Sequence, residues 1–130
     1  MSTRSMVAVK QEDGTILGMW KHWDGYPTYM CEMLYAFQSR ELAEELVGFG
    51  RCDSIISKDY ILSHPDMYEM ENLTELSNGY YIYKGEGEPV VYTNCKECFG
   101  EDIEYLYVWD DWSGWVVVDG GIFNLFNLRG

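Results

Sequence analysis

The chain has 130 residues, 47% of them apolar and 16% aromatic, with eleven Tyr, five Trp and five Phe. That is the length of one ordinary domain, able to take roughly two-thirds of its unfolded surface out of water, and it is too apolar and aromatic for intrinsic disorder. Nine Lys plus Arg against twenty-two Asp plus Glu give a net charge of -13, which repels phosphate backbones and anionic membranes and so disfavours direct nucleic-acid binding. No apolar run approaches the roughly 18 to 20 residues needed to cross a bilayer, and residues 1–10 lack the pattern of a signal peptide. The expectation is a soluble, cytoplasmic protein.

Residues 6–10 predict a short strand with Val7 and Val9 alternating, and Glu12, Asp13 and Gly14 an acidic turn whose Asp-Gly pair favours a hairpin back through residues 15–20. Pro27 suits a first helical turn, and Met30, Met33, Leu34 and Phe37 follow at i, i+3, i+4, i+7 spacing as one apolar stripe. Residues 40–47 predict a second helix capped by Ser39 alone, because Leu42 stands where a capping box needs Glu or Gln. Its stripe is Leu42, Ala43, Leu46 and Val47, with Glu41, Glu44 and Glu45 outside it, and Gly48 and Gly50 end it.

Residues 51–79 are the least legible: His64-Pro65 is a break, and residues 66–76 suggest a short helix closed by Asn78-Gly79. Residues 80–84 and 89–93 flank a turn and predict a second hairpin; residues 103–109 and 115–119, around Asp110 to Gly114, predict a third. Three hairpin-like pairs and two central helices give an α+β fold, a single domain with a mostly antiparallel sheet built from hairpins and the helices packed on it. Ile122, Phe123, Leu125, Phe126 and Leu128 make the tail apolar, so it is expected to dock or to join a subunit contact, which leaves a homodimer open.

Residues 51–130 hold fifteen acids against five bases, whereas residues 1–50 hold seven against four. Glu97, Glu101, Asp102, Glu104, Asp110 and Asp111, with Glu86, Glu88 and Asp119, interleave with strand-like aromatic segments and so edge a sheet. The plain reading is a solubilising face; the sharper one is a surface complementary to a basic partner, including one that imitates nucleic acid. No calcium-loop pattern is present.

Cys95-Lys96-Glu97-Cys98 is a CxxC, which supplies only two of the four ligands of a zinc site; Cys31, Cys52, His22 or His64 would have to converge from far away in sequence. Without a surrounding βαβ unit it is no redox motif either, so reduced, inert thiols and no cofactor are expected, with Cys31 a small buried thiol of the first helix. His22, Trp23, Asp24, Gly25, Tyr26 and Pro27 are the densest cluster of functional residue types. They make either a tight turn, with Asp24-Gly25 supplying positive φ, or the lip of a pocket in which the rings stack a ligand and His22 and Asp24 bond its polar atoms. Arg4 would pair with Asp24 or bind an anion there. No nucleophile elbow and no phosphate-cradling glycine loop is present, and no enzymatic activity is expected.

Ser2-Thr3-Arg4-Ser5, the acidic hairpin turn and His22-Trp23-Asp24-Gly25-Tyr26-Pro27 before a helix together resemble a widespread family of small bacteriophage and prophage proteins. Tyr105, Leu106, Tyr107 and Val108 are similar to that family's late strand, so the likeness is good over about the first 47 residues and loose thereafter. Arg4, Asp24, Gly25, Tyr26 and Pro27 match as positions only; the family supplies no catalytic residues, and the central segment and Cys95 to Cys98 stand outside the shared pattern. The resemblance implies a phage source and a bacterial host cytoplasm. The leading expectation is a host-directed or anti-defence inhibitor, anti-CRISPR proteins included, that presents its acidic C-terminal sheet to a basic host protein. The alternative is a binder of a small molecule or nucleotide signal using Arg4, His22, Trp23, Asp24 and Tyr26.

Overall fold

The computed structural model describes residues 3–120. In chain order these form β1 (Ser5–Lys10), β2 (Ile16–Lys21), α1 (Pro27–Leu34), α2 (Arg40–Val47), β3 (Arg51–Ile56) and α3 (Lys58–Ser63). A 3-10 turn (Pro65–Glu69), β4 (Leu73–Glu75), β5 (Tyr81–Lys84), β6 (Val90–Tyr92), α4 (Cys95–Cys98), a second 3-10 turn (Phe99–Glu101), β7 (Tyr105–Asp110) and β8 (Gly114–Asp119) follow. The fold is α+β. Its eight strands make one sheet in the order β4-β5-β3-β2-β1-β7-β8, with β6 also on β2. Most pairs are antiparallel, while β1 with β7 and β2 with β3 run parallel.

β1 lies between β2 and β7 and is covered on both faces. Val7 and Val9 join Met19, Tyr107 and Trp109 under the helices, against Met30, Leu34, Phe37, Leu46 and Val47. Met6 and Ala8 point the other way, into a second core with Ile16, Leu106, Val108, Cys98 and Ile103. The alternation of Val7 and Val9 reports only the first of these faces.

Both central helices stand where the apolar stripes put them. The Ser39 hydroxyl accepts from the Leu42 amide at 3.1 Å, and Pro27 opens α1. Cys31 is exposed, not buried, because one residue beyond Met30 turns it about 100° off the buried stripe.

Two further sequence expectations are corrected. Residues 80–84 and 89–93 do not pair with each other: β5 lies between β3 and β4, while β6 crosses to β2. The cause is a fork: β3 pairs with β2 only at Trp20 and Lys21, leaving the edge of Ile16 to Gly18 open, and Val90 to Tyr92 fills it. Residues 66–76 form a 3-10 turn and β4, not a helix, and Asn72 between them has a left-handed φ of 69°. Asn78-Gly79 then closes a hairpin, with the Leu76 amide donating to the Tyr80 carbonyl at 2.7 Å and Gly79 at φ 86°. The apolar tail, including Ile122 to Leu128, lies outside the described residues.

Candidate functional site

The corner from β2 into α1 is pinned to β3, to β7 and to Thr3 just ahead of β1. The His22 and Trp23 amides donate to the Cys52 and Asp53 carbonyls at 3.1 and 3.0 Å, and the Gly25 amide to the Thr3 carbonyl at 2.8 Å. The Tyr107 hydroxyl donates to the Gly25 carbonyl at 2.6 Å. Asp24 sits at φ 53°, a conformation that Asp and Asn tolerate better than most residues. Gly25 is required by space: a Cβ there would lie 2.6 Å from both the Ser5 Oγ and the Thr3 carbonyl oxygen.

Beneath the corner lies a residue that the sequence did not mark. Lys21 is fully buried and faces Ser5 across the β1–β2 ladder. Its Nζ donates to the Trp23 carbonyl and lies 5.4 Å from the centre of the Tyr29 ring. Burial lowers the pKa of its ammonium below the ordinary 10.5, while Cys52, Asp24 and Asp53 act in the opposite direction. The Ser5 Oγ, the His22 Nδ1 and the Arg4 Nε are buried without a hydrogen-bond partner among the described residues.

Outside the corner a cleft of about 420 Å³ opens between α1, the end of β3, α3 and β5. Asp24, Tyr29, Ser54, Ser57, Tyr60 and Tyr83 are among its lining residues. The Tyr29 hydroxyl donates to the Ile55 carbonyl, and burial raises that phenol to about 12, so it is neutral at physiological pH. Of the five residues expected to form a pocket, only Asp24 lines this cleft. Arg4 pairs with Asp102 at 3.3 Å and not with Asp24. His22 packs edge-on against Trp23 with ring centroids 4.4 Å apart and also touches Trp20, while Tyr26 is exposed at the start of α1. Tyr29, Tyr60 and Tyr83 gave no local signal, because a tyrosine at helix or strand spacing reads as packing.

Of the six C-terminal acids five fall at the two ends of β7, and Glu97 stands on α4. Asp110 and Asp111 lie at the β7–β8 turn, where Lys10 reaches Asp110 at 3.6 Å and Arg40 reaches Asp111 at 3.4 Å. The Trp112 amide, together with Lys10, holds the Asp110 carboxyl below its usual range. Glu101, Asp102 and Glu104 lie at the opposite end, just before Tyr105; these three and Glu97 are exposed. There, Glu86, Glu88 and Glu101 line a second cleft, of about 340 Å³, at the fork where β3 and β6 leave β2. Its rim also carries Arg51, whose guanidinium stacks 4.3 Å from the Trp20 ring centre. Among the described residues no ion pair reaches Glu86, Glu88, Glu97, Glu101 or Glu104. Glu97 does accept from the Thr93 amide at 2.9 Å.

Cys95 and Cys98 share one short helix whose cap is Asn94. Burial raises both thiols, that of Cys98 to about 12, which works against thiolate chemistry. Among the described residues no group of three or more His, Cys, Asp or Glu side chains is placed to hold a metal ion. None of the helices described is long and apolar enough to cross a membrane. No family model, no curated protein and no solved structure matches the chain.

Proposed function

We propose that the protein acts by binding a partner protein with a basic surface, through the acidic rim around the fork of the sheet. The observation that carries this reading is where uncompensated charge remains. Arg4, Lys10 and Arg40 are taken up by acids and Lys21 is buried, whereas Glu86, Glu88 and Glu101 share one cleft and no ion pair reaches them among the described residues. These three carboxylates outnumber the one cation among the described residues of the cleft, the Arg51 guanidinium stacked on Trp20, and an excess of one sign on a cleft steers and selects an oppositely charged partner. Asp110 and Asp111, held by Lys10 and Arg40, contribute less to such a surface than their position in the sequence suggests. The resemblance of the first residues to phage and prophage proteins makes a host-directed or anti-defence inhibitor, such as an anti-CRISPR, the setting we favour, in the bacterial cytoplasm.

The test is capture of host proteins on the tagged protein, with nuclease present, at low and high salt. A stoichiometric basic partner is expected at low salt and is lost at high salt, because exposed charges are screened beyond a Debye length of roughly 8 Å at physiological ionic strength. Changing Glu86, Glu88 and Glu101 together to Lys should abolish capture, and Asp110→Asn with Asp111→Asn should leave most of it. Capture that survives the triple reversal, or that ignores salt, sinks the reading.

A second reading is favoured by one observation, the cleft of about 420 Å³ under Asp24, whose volume falls in the range of small-molecule sites. In it the protein is a small-molecule binder, with Tyr29, Tyr60 and Tyr83 in the places that His22, Trp23 and Tyr26 were expected to take.

A further inference from the structure

The geometry points to the cleft under Asp24 as a site for an organic cation, an alkylammonium or guanidinium group; this inference rests on the second reading above, that the cleft holds a small molecule. Three tyrosines reach the cleft from three different elements, Tyr29 from α1, Tyr60 from α3 and Tyr83 from β5. Asp24 is the one charged side chain among the described residues that line it. An aromatic face is the negative part of the ring's quadrupole and attracts a cation, and a carboxylate beside it adds a full opposite charge. An anion would meet repulsion from both, and a neutral polyol would gain nothing from the charge.

Several contacts fix the walls before any ligand arrives. The Tyr60 ring stacks on His64 at 4.1 Å with 13° between the planes, and the Tyr83 hydroxyl lies 3.3 Å from the Met70 Sδ. The Tyr29 hydroxyl is tied to the Ile55 carbonyl. Groups already held in place lose little entropy on binding. Met33 and Met67 add polarisable sulfur to the lining, suited to the methyl groups of a substituted ammonium. The net charge of -13 raises the local concentration of any cation. The buried Lys21 donates to the Trp23 carbonyl beneath the corner and lies 5.4 Å from the centre of the Tyr29 ring, so it takes up one face of that ring and leaves Asp24, Tyr60 and Tyr83 as the principal contacts for the ligand.

Isothermal titration of the whole protein with choline and agmatine, against the neutral choline isostere 3,3-dimethyl-1-butanol, uridine and uridine monophosphate, tests this. One of the two cations is expected to bind at least about tenfold more tightly than the neutral isostere. Asp24→Asn keeps a residue at home in the left-handed region and should weaken the cation about tenfold without changing the melting temperature. Tyr60→Leu, at an exposed ring, should weaken it as well, and keeps the test open if Asp24→Asn does not fold. Binding of only the neutral or anionic compounds overturns the cation inference and leaves the cleft reading standing. Absence of binding by all five overturns both, and so does binding that neither variant changes.

Discussion

Lys21 shows how a single side chain escapes a sequence reading. A lysine that ends an alternating strand reads as an exposed terminus, and its burial follows only once α1 folds back over β2 and the corner closes above it. A lysine rarely goes fully buried, and this one gains a carbonyl and a ring face in exchange for its hydration. Because its folded pKa lies below the unfolded 10.5, the unfolded chain binds more protons in the interval between the two. The penalty is therefore full below the folded value and fades as pH rises toward 10.5. Lys21→Met should hold or raise the unfolding free energy at pH 7, by up to about 2 kcal/mol, and should remove this contribution's rise with pH. Chemical denaturation at pH 7 and pH 9.5 checks it; a clear loss of stability at pH 7 would show that the ammonium's contacts outweigh its desolvation.

Elements whose signals are local were legible. The stripe of Met30, Met33, Leu34 and Phe37, the Ser39 cap, the Asp13-Gly14 turn and the Asp110 to Gly114 turn are each settled within a few residues, and the structure has the corresponding helices and hairpins, although α1 ends at Leu34, Met33 is only half-buried, and Phe37 is buried beyond the helix. β6 was not legible as a partner of β2, because its place depends on how early β3 diverges, a fact about residues some forty positions away in sequence. The cleft was legible only through Asp24, since Ser54, Tyr60 and Tyr83 reach it from separate elements. The corner joining β2 to α1 gives a prediction at this scale. Gly25→Ala would force a methyl to 2.6 Å from both the Thr3 carbonyl and the Ser5 hydroxyl, and should cost about 1–3 kcal/mol in equilibrium unfolding. Gly100→Ala, with nothing within 4 Å of the added carbon, is the matched control and should change little.

The molecule as a whole is tuned against alkali. Burial raises the thiols of Cys52 and Cys98 from an ordinary 9.0 to about 12, and the phenols of Tyr29 and Tyr92 from 10.0 to about 12. Each of these groups stays protonated in the fold where the unfolded chain would ionise. The stability they carry is complete below about pH 9 and drains as pH climbs toward 12, while Lys21 contributes in the opposite direction. The melting temperature should fall above pH 9, and Cys52→Ala with Cys98→Ala should reduce the fall between pH 9 and pH 10. An unchanged slope in that double variant would assign the effect to the tyrosines.

The parallel seam between β1 and β7 also governs how the chain is made. Ser5 sits opposite Tyr105, a hundred residues downstream, so β1 waits for a strand made a hundred residues later. At roughly 5–20 residues per second that wait is about 5–20 seconds, during which the hairpin of β1 and β2 presents an unpaired apolar edge. Such an edge is a template for any strand that arrives sooner, so a nascent neighbour or a chaperone competes with β7 for it. Yield in the cell should then depend on the speed of translation as much as on the stability of the finished fold.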